Sequence, residues 1–247
     1  MTTTNDDCER RRFLQLLGSS ATLALTGCGP AGRLLSGCGP AGRGRSAEES
    51  VGDEEGGISP AEDLMREHGV LERILLIYEE CARRLEHSRE APLAVLAKGA
   101  EIVRLFVEDY HERLEEQFLF PRFEAAQDKV ELVGTLRDQH AYGRKLTDRI
   151  SQMAGGNIAS SNDRQALVQA LWAFSRMYRP HAAREDTVLF PAFEPLVGAA
   201  AYFELGEQFE GEEHELFGED GFAGVVREVA GLEQELGIHD LAQFTGP

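Results

Sequence analysis

The pattern H-x-x-x-E-[ED]-x-x-L-F-P-x-F-E occurs twice, over residues 111–124 and 181–194, an offset of 70 (181 − 111). A further pair of histidines, His68 and His140, lies 72 apart (140 − 68), each upstream of its own copy. On a helix, His at i and Glu at i+4 share a face. His111 with Glu115, and His181 with Glu185, can therefore aim at one point. Two related halves, each supplying His, His and Glu, would bring four imidazoles and two carboxylates to a common centre. That set suits a pair of metal ions.

Neutral imidazole binds Fe(II), Zn and Mn, while carboxylates prefer harder ions and can bridge two of them. The donor set carries no thiolate for an Fe–S cluster and too many ligands for one tetrahedral zinc. Haem would take one or two axial histidines. Ferritin-like carboxylate proteins also hold two metals in a four-helix bundle, but on E-x-x-H with Glu first. Here His comes first, in both copies.

The elements that must position these groups are helices. Ser59-Pro60-Ala61-Glu62 reads as a helix start, with Ser as N-cap, Pro in the first turn and Glu three residues on. Apolar seams then step by four and three through four segments. They run Leu64, His68, Leu71, Leu75, Tyr78, Ala82, Leu85; then Leu96, Ala100, Val103, Val107, His111, Leu114, Phe118. The third passes Val133, Leu136, His140, Gly143, Thr147 and Ile150, and the fourth Leu167, Leu171, Phe174, Tyr178, His181, Glu185 and Val188. His68, His111, His140, His181 and Glu185 occupy seam positions, and Glu115 lies about 40° from His111 round the helix. An ionised carboxylate buried without a partner costs several kcal/mol, so each glutamate needs a cation. No Lys or Arg sits in the seams, and Arg144 is at the edge of the third. The reading is all-α, a four-helix bundle over 59–198, followed by an acidic helical extension over 199–247 without evident site chemistry.

With these residues in place, the chain resembles the haemerythrins, and more closely their bacterial haemerythrin-like (HHE cation-binding) branch. The resemblance rests on Glu67-His68, on His111-Glu112-x-x-Glu115 with Leu119-Phe120-Pro121, on His140, and on His181-x-x-x-Glu185 with Leu189-Phe190-Pro191. It covers about residues 60–197 and implies an up-down bundle around a non-haem centre of two Fe ions. Two departures stand out. Oxygen carriers of the family have a second His one turn after the third-helix ligand, where this chain has Arg144, and their last carboxylate is an Asp at five residues rather than Glu185 at four. Glu112, about 100° round the helix from His111, is the candidate to fill a vacant position. Glu116 and Asp186, each following a ligand glutamate, are candidates to orient ligands from behind. The resemblance implies binding of O₂ or another small diatomic or peroxide ligand, for storage, sensing or scavenging. Alternatives are a di-iron oxidoreductase (oxidase, peroxidase or nitric-oxide reductase) and iron or zinc sequestration.

Residues 1–28 read as a targeting segment. Arg10-Arg11-Arg12-Phe13-Leu14-Gln15 resembles a twin-arginine export signal, and Leu25-Thr26-Gly27-Cys28 a lipoprotein cleavage box. This implies export, with membrane attachment through lipid at Cys28. Residues 29–58, rich in Gly, Ser, Arg and Glu, read as a flexible tether. A net charge of −18 argues against nucleic acid as a partner. Cys81 falls within a helical pattern and reads as a small buried apolar residue.

Overall fold

A computed structural model describes residues 58–87, 92–156, 158 and 160–245. The export signal, Cys28 and nearly all of the tether lie outside them. Among the described residues every regular element is helical.

Helix α1 spans Pro60–Glu86 and begins as expected, with the Ser59 hydroxyl accepting from the Glu62 N–H at 3.3 Å. Helix α2 covers 93–126 and is continuous, though its backbone changes register along the way. Helix α3 spans Val130–Ala154 and α4 Ser161–Val197. At the start of α4, Ser160 and Asp163 form a reciprocal capping box, which satisfies two backbone donors at once. The short connections make successive helices antiparallel neighbours, and α4 closes the ring against α1.

The seams form the core. Leu64, Leu75, Tyr78, Leu96, Val103, Leu114, Val133, Ile150, Leu167, Leu171 and Phe174 are fully enclosed. Each such side chain stabilises the fold by about 1.5–3 kcal/mol relative to exposure. Two expected seam residues depart from the pattern. Val188 is 39% exposed and Phe118 only partly buried, while their neighbours Leu189 and Leu119 are completely covered. The cause is a wide π turn over Glu115–Leu119 and again over Glu185–Leu189. Each turn inserts about one residue into the helix and advances the seam by one. Pro121 and Pro191 follow one residue after each turn. Proline has no N–H to give, and its ring crowds the carbonyl four residues back. A wider turn accommodates both defects. Neither proline ends its helix, and the chain stays helical through Ala126 and Val197.

Beyond Gly198, α5 (Ala199–Phe217) and α6 (Gly221–Leu236) fold back on the bundle. Helix α6 lies on α1 and the first part of α2, and α5 on α1 and the end of α4. Phe217 packs edge-on against Phe106 and Tyr110, with ring centroids 5.6 and 5.5 Å apart. Arg73 grips Glu233 with two hydrogen bonds (2.9 and 2.6 Å), and Arg113 reaches Glu212 at 2.6 Å. The aromatic contacts dominate this attachment, since exposed ion pairs contribute about 0–1 kcal/mol each. Among the described residues no single helix is long and apolar enough to cross a membrane.

Candidate metal centre

Six of the seven expected ligands converge midway between the four bundle helices. His140, Glu115 and Glu185 are completely buried, and His68, His111 and His181 are 3–4% exposed. The imidazoles form two pairs. His68 and His111 have ring centroids 4.7 Å apart, and His140 and His181 lie at 5.0 Å. Each pair comes from one half of the repeat.

The carboxylates tie the pairs together. Glu115 places Oε1 3.9 Å from His111 Nε2 and Oε2 3.4 Å from His140 Nε2. Glu185 places Oε1 3.1 Å from His181 Nε2 and Oε2 3.4 Å from His68 Nε2. Each glutamate therefore presents one oxygen to its own half and one to the other.

The outer nitrogens explain why all four Nε2 atoms face inward. Nδ1 of His68 meets Asp186 at 2.7 Å, and that of His111 meets Glu67 at 2.6 Å. Nδ1 of His140 meets Glu116 at 2.9 Å, and that of His181 meets the Gln139 side-chain oxygen at 2.9 Å. An oxygen acceptor at Nδ1 draws the proton there and leaves the Nε2 lone pair for a metal. Glu116 and Asp186, expected to orient ligands, hold these positions. Glu67 and Gln139 were not anticipated in this role. The available signal was their place, each immediately before the first histidine of its half.

A donor set without donors has resulted. All four oxygens of Glu115 and Glu185 are buried and accept no hydrogen bond. Nε2 of His140 faces Nε2 of His181 at 3.2 Å. Lone pairs face lone pairs, and only cations resolve that. Without metal the centre must hold protons instead. Burial and the Glu185 charge push Glu115 well above the carboxylate range. Burial would lower His68, but Asp186 and Glu185 outweigh it and raise the imidazole to about 9. Burial takes His140 down to about 4, and burial with the neighbouring His68 charge takes His111 well below its ordinary value.

Glu112 lies beside this set rather than within it. Its Oε1 accepts from the Tyr178 hydroxyl at 2.6 Å, and Oε2 lies 2.8 Å from Arg144 Nη2. The same nitrogen donates to Glu116 at 2.8 Å. Arg144 thus ties Glu112 to the acceptor of His140. The cluster depends on Gly143, because a Cβ there would fall on the Tyr178 hydroxyl.

Comparison with known proteins agrees with this chemistry. The Hemerythrin HHE cation binding domain family matches residues 59–193 and, in an overlapping second span, 131–234. The second span takes in Glu213-His214, in the same order as Glu67-His68, although His214 is exposed. An uncharacterised protein of Mycobacterium tuberculosis (strain ATCC 25618 / H37Rv) is 45% identical over 240 residues, covering 96% of this chain and 90% of the relative. An uncharacterised protein of Mycobacterium bovis (strain ATCC BAA-935 / AF2122/97) matches with the same identity and coverage. No solved structure matches the chain. With both the motif and the arrangement of its buried His/Glu cluster accounted for, the chain belongs to the haemerythrin HHE cation-binding family.

Proposed function

We propose that the His/Glu centre holds two iron ions, one on His68 and His111 and one on His140 and His181, with Glu115 and Glu185 bridging them. The observation that carries this reading is the crossed placement of the two carboxylates, each within 3.9 Å of a nitrogen of both pairs. When bound, such a pair of irons would supply two electrons, one from each, toward O₂ and related small molecules. The chain's own residues exclude bulk water, fix four imidazoles by their outer nitrogens and keep charge balanced. The protein then acts in storage, sensing or scavenging of O₂ or a similar ligand. Metal analysis with Mössbauer spectra, before and after reduction, tests this. About two coupled irons per chain are expected, and saturation at a single metal, or preference for zinc, would sink it.

A second reading, a di-iron oxidoreductase, draws on Glu112, Tyr178 and Arg144. They place a carboxyl, a phenol and a fixed cation beside the centre, all joined by short contacts. Turnover of peroxide or nitric oxide that falls in Tyr178→Phe at unchanged iron content would favour it.

The proposal includes export by the twin-arginine route and a lipid anchor at Cys28. Lys in place of Arg10 and Arg11 should block export, whereas Cys28→Ser should permit it and abolish lipidation. A similar box, Leu35-Ser36-Gly37-Cys38, follows ten residues later, and membrane association lost only in Cys38→Ser would place the anchor there instead.

A further inference from the structure

The acidic extension brings one carboxylate to the back of the centre. Asp63 and Glu67, one turn apart on α1, face Glu213 on α5, and an oxygen from each lies within 4.8 Å of the others. Asp63 is 5% exposed and Glu67 2%, with Glu213 partly covered. Among the described residues one cationic side chain reaches the group. Arg66 touches Asp63 at 3.4 Å, with its guanidinium also over the Phe222 ring at 4.5 Å. Three carboxylates therefore share a single arginine at their edge.

Glu67 supplies the observation that points to a ligand. Its Oε2 accepts from His111 Nδ1, and its Oε1 is buried without a hydrogen-bond donor. The Tyr110 hydroxyl, 3.5 Å from the Phe209 carbonyl, also lies near enough to Glu67 to favour its charged form. Glu213, meanwhile, is held in place. Its Oε1 accepts the Phe222 N–H at 2.7 Å, and a side chain at Gly221, where φ is +38°, would collide with that oxygen. The turn into α6 is thus shaped around this carboxylate.

We propose that Asp63, Glu67 and Glu213 form a separate cation site between the bundle and its C-terminal extension, taking a hard divalent ion such as Mn²⁺, Mg²⁺ or Ca²⁺. The group offers oxygen only, with neither imidazole nor thiolate, which selects hard ions over the borderline metals suited to the histidine centre. The partial exposure of Glu213 gives an ion a way in. Without an ion, protons must take its place. Burial, then the charges of Glu67 and Glu213, push Asp63 up to about 7. An ion here would touch the carboxylate that orients His111, linking the extension to the main centre by one side chain.

The test is Mn²⁺ binding to the full chain as purified, read from the loss of the free-ion EPR signal. Wild type should take up about one more Mn²⁺ per chain than Glu213→Gln or Asp63→Asn. The metal content and visible spectrum of the histidine centre should stay unchanged in Glu213→Gln. Because the comparison is a difference, it holds whatever metal the histidine centre carries, so a failed di-iron reading leaves it intact. Equal uptake by wild type and both variants would overturn the proposal, as would uptake lost only in Glu115→Ala. Circular dichroism identifies a variant that fails to fold, and the other variant then decides.

Discussion

The two halves of the centre agree in their inner ligands and differ in what stands behind them. In each, the acceptor for the first histidine comes from the opposite half, Asp186 for His68 and Glu116 for His140. The acceptor for the second comes from the same half, Glu67 for His111 and Gln139 for His181. Glu67 is a carboxyl and Gln139 a neutral amide. Both imidazoles of the first half are thus backed by carboxyl groups and lie under the extension, whereas those of the second have one carboxylate behind them, shared with Arg144. The lesson is that the ligand set and its electrostatic backing are separable. An anionic acceptor makes an imidazole a stronger donor than an amide does, so the two proposed metal positions should differ in affinity despite matched ligands.

The largest effect should come from Glu115→Ala or Glu185→Ala. Either removes an oxygen from both positions, so affinity should fall by more than about 100-fold at each, beyond the loss typical of outer-sphere changes. Equilibrium dialysis with metal analysis reads this, and a variant that keeps one position at wild-type affinity would end the crossed-bridge description.

Acidity should separate the halves next. In metal-free protein His68 titrates near 9, whereas His140 is neutral above about 4. The raised His68 value stabilises the metal-free fold fully below its ordinary value of 6.5, and that contribution is lost as pH climbs through about 9. Metal must displace the same proton, so apparent affinity at the first position should rise about tenfold per unit as pH approaches 9, with little such slope from His140. NMR titration of the imidazoles checks the assignment, and similar values for His68 and His140 would erase the asymmetry.

Exchanging the acceptors sharpens the comparison further. Glu67→Gln should weaken the first position roughly 10-fold, and Gln139→Glu should strengthen the second by a similar factor. Identical responses at both positions would show that the backing is irrelevant. The smallest effect on metal is expected from Gly143→Ala. Its methyl would displace the Tyr178 hydroxyl from Glu112, costing about 1–3 kcal/mol in urea unfolding, with metal stoichiometry unchanged.

Much of this centre was legible before any coordinates. His111, Glu115, His181 and Glu185 stood out because the chain repeats itself, and His68 and His140 because polar groups interrupted apolar seams. Leu119 and Leu189 were missed as core residues because periodicity assumes one hydrogen-bond register throughout a helix. Pro121 and Pro191 are the available clue, since a proline inside a helix favours such a widening. Glu67 and Gln139 were harder to foresee as acceptors. Their role arises only across helices, at positions where solvated helix acids and amides are common. The packing of the extension was hidden for the same reason, since an acidic helix does not declare which carboxylate will face inward.

The crossed arrangement has a consequence for assembly. A single half, two helices with His, His and Glu, lacks the opposite nitrogen for its carboxylate and the acceptor for its first histidine. It is a protomer, not a module. Cut in the turn around Gln127–Lys129, where the non-glycine residues Gln127 and Lys129 adopt left-handed backbone angles, the chain should yield fragments that bind metal tightly only on being mixed. Two copies of one fragment would bind only so far as its own residues could stand in for the other's. The linked chain is, in effect, an obligate dimer written as one polypeptide.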